Sequence, residues 1–282
     1  AMHNAKQQGR NNFQFFHQSM NIQARQRLIL ENELHKAIKN EELEVYYQPK
    51  IELTECKTVG MEALLRWKHP EKGMISPANF IPLAEETGLI CVLGEWVLRQ
   101  ACKHTKNWHE QGFKLKVAVN ISTVQLKETD LLNNIHNILE ASNLPPEYLE
   151  LEITEGVLME DSETSHTVLS AIKELGVFIA MDDFGTGYSS LSYLKKFPFD
   201  TLKIDQSFMC DVDTEPDSSS LIPAIIALSK CLKMKVVAEG VETDAQLNFM
   251  KKYECDEIQG YLFSPALPPQ EFENWLKNNK VI

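Results

Sequence analysis

Residues Val45–Trp67 read VYYQPKIELTECKTVGMEALLRW, and two strands fit into them with five residues between. Val45–Leu53 and Val59–Trp67 are rich in β-branched and aromatic side chains, which suit a pleated surface. Thr54–Thr58 is the whole connection. A parallel crossover needs a dozen or more residues, so these strands form an antiparallel hairpin.

Beyond the hairpin the pattern changes. Candidate strands Leu115–Ile121, Tyr148–Thr154, Val177–Asp182, Thr201–Ile204, Met234–Ala238 and Asp256–Gln259 follow. Helical segments Phe80–Gln111, Leu126–Ser142, Ser162–Leu175, Ser219–Leu232 and Ala245–Tyr253 separate them. That alternation implies parallel strands joined by crossover helices. Eight strands within about 240 residues favour closure, so the expected α/β fold is a TIM (β/α)8 barrel modified by its opening hairpin.

Upstream, Leu30, Leu34 and Ile38 recur every four residues within Ile22–Asn40. The stretch reads as an amphipathic helix, either packed on the barrel or relaying a signal between domains. Residues 1–17, AMHNAKQQGRNNFQFFH, look like the end of a helix, a break at Gly9 and an aromatic strand through Phe13, Phe15 and Phe16. A strand without a neighbour suggests the tail of a preceding domain. The expected division is 1–17 tail, 18–40 linker helix and 41–282 barrel.

With 282 residues, 43% of them hydrophobic, the chain can bury one large core. Its 28 basic and 40 acidic side chains leave a formal net charge of -12. That excludes the basic stripe of a general DNA binder, but not a small anion held through metal ions. The six cysteines are scattered without a C-x-x-C pair and read as reduced thiols of a cytoplasmic protein. No apolar run approaches the roughly 18 residues of a membrane span, and no signal peptide opens the chain. A longer parent could still carry an inner-membrane anchor.

The chemistry is concentrated at strand ends. Glu62 interrupts Val59–Leu65; Asn120 ends KVAVN; Glu150 and Glu152 alternate with aliphatics in LELEIT. Asp182 and Asp183 end VFIAMDD, Lys203 and Asp205 end TLKID, Glu239 ends KVVAE, and Gln259 lies in DEIQG. A lone acid at such a place usually caps a helix or serves a turn. Seven strand ends carrying such residues are harder to dismiss, because buried like charges are expensive unless paired or metal-bound. Lys203 and Arg66 stand as the cations in equivalent positions, too few to neutralise the acids. Polar residues at the carboxyl ends of barrel strands read as catalytic, and an oxygen-only donor set favours Mg2+, Mn2+ or Ca2+ over zinc. The histidines do not compete: His104 and His109 are five apart on a helix, and His69 and His166 fall in loops. Asp183-Phe184-Gly185 spells a kinase triplet without the partner motifs, and Gly185-Thr186-Gly187 lacks the third glycine and first-strand setting of a dinucleotide loop.

These segments resemble the EAL domains, bacterial cyclic di-GMP phosphodiesterases. Glu62-Ala63-Leu64 before Leu65-Arg66-Trp67 is similar to the family's signature, and the match runs over residues 41–270. It takes in YYQPKIEL, FIPLAEETG from Phe80, VNIS, LEITE, DDFGTGYSSL from Asp182, LKID, AEGVE and QGYLFSPAL from Gln259. The resemblance implies a barrel with an antiparallel first strand. It implies a first Mg2+ or Mn2+ on Glu62, Asn120, Glu152 and Asp182. A second would be bridged by Asp182 and Asp183, with Glu239 and Gln259 helping directly or through water. Lys203 would orient the attacking water, so Glu62, Asp183, Lys203 and Glu239 form the implied catalytic group. Gln48, Leu64, Arg66, Gly240, Gln259 and Tyr261 would contact the cyclic dinucleotide beside Glu62, Asn120, Asp182, Lys203 and Glu239. Glu155, Asp205 and Glu242 look like loop supports, and Glu150 like no part of the site. Residues 1–16 resemble the end of a GGDEF domain, implying that cyclase module in the same parent chain, and a homodimer is expected.

The implied activity is metal-dependent hydrolysis of cyclic di-GMP to linear pGpG. The alternatives are a catalytically silent cyclic di-GMP receptor and a protein scaffold. An intact ligand set favours the enzyme.

Overall fold

The computed structural model describes residues 18–156, 162–185, 191–209, 212, 221–279 and 281. The expected domain tail 1–17, with its implied GGDEF resemblance, and positions 186–190 of the DDFGTGYSSL loop lie outside them.

β1 (Leu43–Glu52) and β2 (Lys57–His69) form the antiparallel hairpin, with Gln48 opposite Glu62 and Lys50 opposite Gly60. A short β3 (Gly73–Ile75) folds back on the end of β2, where no strand was expected. β4 (Lys116–Asn120), β5 (Leu149–Thr154), β6 (Phe178–Phe184), β7 (Thr201–Ile204) and β8 (Lys235–Ala238) then run parallel from β2 onward. β9 (Glu257–Ile258) pairs parallel with β8 and antiparallel with β1. The pairing of β1 with both β2 and β9 closes an eight-stranded ring, with β3 appended outside it. This is the modified TIM (β/α)8 barrel with an antiparallel first strand.

α1 (Gln18–Lys39) precedes the barrel and packs on it: Leu34 and Ala37 are buried with Trp67, Phe80 and Ile90. The long helix expected over Phe80–Gln111 is two helices, α2 (Pro77–Thr87) and α3 (Leu89–Glu110). Gly88 separates them at φ +76, a left-handed conformation that glycine takes without steric cost. The segment expected over Leu126–Ser142 starts later, as α5 (Leu131–Ser142), behind a short α4 (Thr123–Leu126). The outer layer continues with α6 (Ser162–Glu174), α7 (Leu191–Lys196), α8 (Leu221–Leu232), α9 (Asp244–Lys252) and α10 (Pro269–Asn278). No helix among the described residues is long and apolar enough to cross a membrane.

The main core lies between strands and helices, and strand alternation builds it. On β5, Leu149, Leu151 and Ile153 join that core, while Glu150 and Glu152 take the other face, into the barrel. On β1, Tyr47 packs edge-on against Trp108 at 4.9 Å and bonds His104 at 2.9 Å on the outside. Gln48 and Lys50, by the same period of two, point inward. Barrel interiors are usually filled by branched aliphatics. Here Lys50, Glu150, Glu152 and Lys203 fill much of the interior, all buried, beside the small Ala118 and Ala180.

Candidate active site

The parallel register brings the strand-end residues together at one mouth of the barrel. Glu62 from β2 accepts from Asn120 Nδ2 at the end of β4 at 2.7 Å and from Gln259 Nε2 after β9 at 2.6 Å. The same Gln259 amide donates to Gln48 Oε1 at 2.9 Å, and Gln48 Nε2 donates to the Ser264 carbonyl at 3.1 Å. Both oxygens of Glu62 are thus held by amides from elements 58 and 197 residues away in sequence.

Lys203 on β7 is the hub. Its Nζ lies 2.7 Å from Glu152, 2.7 Å from Glu239, 3.0 Å from Asp182 and 3.9 Å from Glu62. Burial works against the charged amine, but these four carboxylates outweigh it and hold the ammonium well above the usual lysine range. For Glu62 burial is again the largest influence, yet Lys203 overcomes it and keeps the carboxyl below its ordinary range. Glu239 goes the other way: burial pushes it up to about 8 despite Lys203, with Asp182 and Glu62 adding repulsion. Burial and the adjacent Asp182 also raise Asp183.

Asp183, one residue before the end of β6, stands at φ +55, and its backbone N–H donates to Asp182 Oδ1 at 3.0 Å. That turn sets the two aspartates side by side. Among the described residues, Asp182, Asp183 and Glu239 bring ligand oxygens within 4.8 Å of one another, the one such carboxylate group. Gln259 Oε1 is buried nearby without a hydrogen-bond partner, an acceptor aimed into a polar site. An oxygen-only donor set with excess negative charge and an unsatisfied carbonyl fits a hard divalent cation.

The other expected residues fall around this centre. Arg66 is half-buried, its guanidinium 5.8 Å from the Tyr46 ring centroid. Leu64, Arg66 and Asn120 line a cavity of about 290 Å3 with Ile81 and Glu85 from α2. Gly240 follows Glu239 at φ +66, where a Cβ would stand 2.5 Å from that of Gln206. Tyr261 is 69% exposed. Asp205 caps a single 3-10 turn by accepting from the Ser207 N–H at 3.0 Å. Glu155 is buried just after β5. Glu242 has an exposed side chain; its backbone N–H donates to Gln246 Oε1 at 2.7 Å.

One cation was missed. The expectation that Lys203 and Arg66 stand alone against the acids is corrected by Lys50, which lies 2.7 Å from Glu152 Oε1 and 3.0 Å from Glu150. The signal was the strand period: Gln48 faces inward, so Lys50 does too. Glu150, set aside by the family pattern, is held down to about 2: burial opposes ionisation, and Lys50 and Lys116 overcome it.

The family model for the EAL domain matches residues 31–266. The bifunctional diguanylate cyclase/cyclic di-GMP phosphodiesterase MucR of Pseudomonas aeruginosa is 43% identical over 272 residues, covering 96% of this chain and 40% of MucR. The cyclic di-GMP phosphodiesterase NbdA of the same organism is 43% identical over 278 residues, covering 98% of this chain and 36% of NbdA. The chain therefore spans two fifths or less of the length of these relatives. A solved structure, the PaMucR phosphodiesterase in complex with c-di-GMP, superimposes with a TM-score of 0.83 at 41% identity, covering 88% of this chain and 99% of that one.

Proposed function

The chain belongs to the EAL domain family, and on that premise we propose that it hydrolyses one phosphodiester bond of cyclic di-GMP to give linear pGpG, with Mg2+ or Mn2+ bound. The observation that carries this is the convergence of Glu62, Glu152, Asp182 and Glu239 on Lys203, with Asp183 alongside, at the strand ends of a closed barrel. The names of the relatives, cyclic di-GMP phosphodiesterases at 43% identity, support the substrate.

Asp182, Asp183 and Glu239 would hold one cation, and Glu62, Asn120, Glu152 and Asp182 another. Divalent cations bound there would supply positive charge against the phosphodiester and lower the pKa of a bound water. Each part of the protein has its own task. Lys203 supplies a fixed ammonium where the nucleophile is oriented. Gln259 and Asn120 fix the plane of the Glu62 carboxylate. Arg66 offers a guanidinium suited to a phosphate. The cavity beside it offers apolar walls and a polar rim, the usual make-up of a small-ligand pocket. Glu239, raised to about 8 by burial, is mostly protonated at pH 7, so a cation held there would displace that proton.

The proposal extends to a GGDEF-type cyclase module in the parent chain, which the name of MucR supports, and to pairing of two barrels.

The test is chromatographic detection of pGpG from cyclic di-GMP, with Mn2+, with Mg2+ and with EDTA, for the parent and for Glu62→Ala. Product from the parent with metal alone, and none from the variant, is expected. Tight dinucleotide binding with no product under any metal would make the chain a receptor. Undiminished turnover by Glu62→Ala would remove the first metal assignment.

A further inference from the structure

A chain of buried charge runs down the barrel axis below the site. From the mouth it passes from Lys203 to Glu152 Oε2 at 2.7 Å, then from Glu152 Oε1 to Lys50 at 2.7 Å. It continues from Lys50 to Glu150 Oε1 at 3.0 Å, and from Glu150 Oε2 to Thr201 Oγ1 at 2.9 Å, with Lys116 3.9 Å away. Lys50 and Glu150 also line a cavity of about 480 Å3 at the opposite end of the barrel from the site.

Stability does not call for this arrangement. Ions taken from water cost several kcal/mol each, and well-packed apolar residues of similar volume usually serve a fold as well or better. The geometry has a consequence for Glu152 instead. Each of its oxygens is gripped by a different lysine, one from the floor and one from the mouth. The carboxylate can neither rotate nor drop into the barrel. Of the two lysines, Lys203 reaches three other acids of the site, whereas Lys50 touches the site at Glu152 alone.

We propose that Lys50 is a positioning residue for Glu152: it ties Oε1 to the barrel floor and so fixes the orientation of the carboxylate that would help to hold the cation. Glu150, itself held by the Thr201 hydroxyl, in turn holds Lys50. The proposal rests on the metal site of the proposed function. Partners behind a metal ligand commonly change affinity or activity by about 10–100-fold when removed.

The test is Lys50→Met/Glu150→Gln, which removes one charge of each sign, so the net charge of the barrel interior is kept. Thr201 can still donate to the amide. Three quantities are read: the melting temperature without metal, Mn2+ affinity by calorimetry without substrate, and the split between kcat and KM. The expected result is a melting temperature close to the parent's, Mn2+ affinity and kcat each lower by roughly 10–100-fold, and an unchanged KM for the dinucleotide. Glu150→Gln alone, which leaves Lys50 on Glu152, is expected to keep most of the Mn2+ affinity. Should the double variant fail to fold, Lys50→Arg carries the comparison. It keeps a positive charge opposite Glu150 but not the point geometry of the ammonium at Glu152, and it is expected to lose Mn2+ affinity. Parent-like Mn2+ affinity in the folded double variant, or in Lys50→Arg when that must stand in, overturns the proposal and makes Lys50 a counterion only. A loss as deep in Glu150→Gln alone as in the double variant overturns it too. A parent protein that takes up no Mn2+ overturns this proposal and the metal reading together, whereas equal uptake by parent and double variant overturns this one only.

Discussion

Lys203 Nζ and Glu152 Oε2 stand 2.7 Å apart inside the barrel, with side-chain exposures of 1% and 0%. Two opposite charges so completely removed from water depend on each other, and Lys203 serves three further carboxylates besides. Lys203→Met therefore leaves four acids facing one another. Truncating one partner of a buried pair costs about 3–5 kcal/mol. The variant is expected to melt well below the parent in EDTA, to lose turnover, and to regain part of the melting temperature with Mn2+, since a ligand bound only by the folded state stabilises it. Scanning calorimetry with and without Mn2+ checks this; no change in EDTA would show that the ammonium does not hold these acids together.

Asp183 combines two roles that substitution can separate. Its φ of +55 favours Asp, Asn or Gly over other residues, and its carboxylate belongs to the Asp182–Asp183–Glu239 group. Asp183→Asn keeps the turn and removes the charge. It is expected to unfold at the parent's urea midpoint while losing Mn2+ uptake and hydrolysis. Asp183→Ala adds backbone strain of about 1–2 kcal/mol, so its midpoint falls as well. Equal stability of the two variants would mean that the turn does not constrain this residue.

How much of this could be read in advance depends on the range of the interaction. The hairpin was legible because five residues cannot hold a crossover. The inward acids were legible because LELEIT alternates with period two. Gly88 was passed over because helical periodicity continues on both sides of it, and only its φ of +76 shows the break. β3 was too short to carry a pattern. Lys50 was hidden for another reason: its partners Glu150 and Glu152 lie 100 and 102 residues away, and which lysine meets which acid is set by barrel closure and register. The same holds for Gln259, whose place on Glu62 follows from β9 closing against β1.

Thiol chemistry offers a test of packing that is independent of activity. Burial pushes Cys102 and Cys255 up to about 12, whereas Cys56 and Cys231 are exposed. The thiolate is the reactive form, so at pH 8 a thiol with that pKa is ionised in roughly one molecule in ten thousand. Raising the pH increases the thiolate fraction, yet pH 9 still leaves it on the order of one in a thousand. Labelling of the native protein at pH 8 is expected to mark Cys56 and Cys231 and to spare Cys102 and Cys255 until urea unfolds the chain. Peptide mapping of the labelled protein reads this directly. Rapid native labelling of Cys255 would mean that the β8–β9 side of the barrel opens readily.

Gly260 links packing to the site through its neighbour Gln259. A Cβ there would lie 2.1 Å from Val241 O and 2.4 Å from Val241 N, both backbone atoms. The contact is bridged on either side by the Val241 N–H to Gln259 carbonyl bond at 3.1 Å and the Leu262 N–H to Val241 carbonyl bond at 3.1 Å. Gly260→Ala cannot be absorbed by a side-chain rotation, so the two segments must part and carry Gln259 away from Glu62. Overpacking of this kind costs about 1–3 kcal/mol, and turnover is expected to fall with it because Gln259 orients Glu62. Gly112→Ala is the matched control. It sits at φ +99 after α3 with open space around it, so it is expected to cost about 1 kcal/mol of backbone strain and leave turnover unchanged. Urea midpoints and initial rates for the two variants decide the matter. Equal loss of stability with full turnover in Gly260→Ala would show that the Gln259 contact does not govern Glu62.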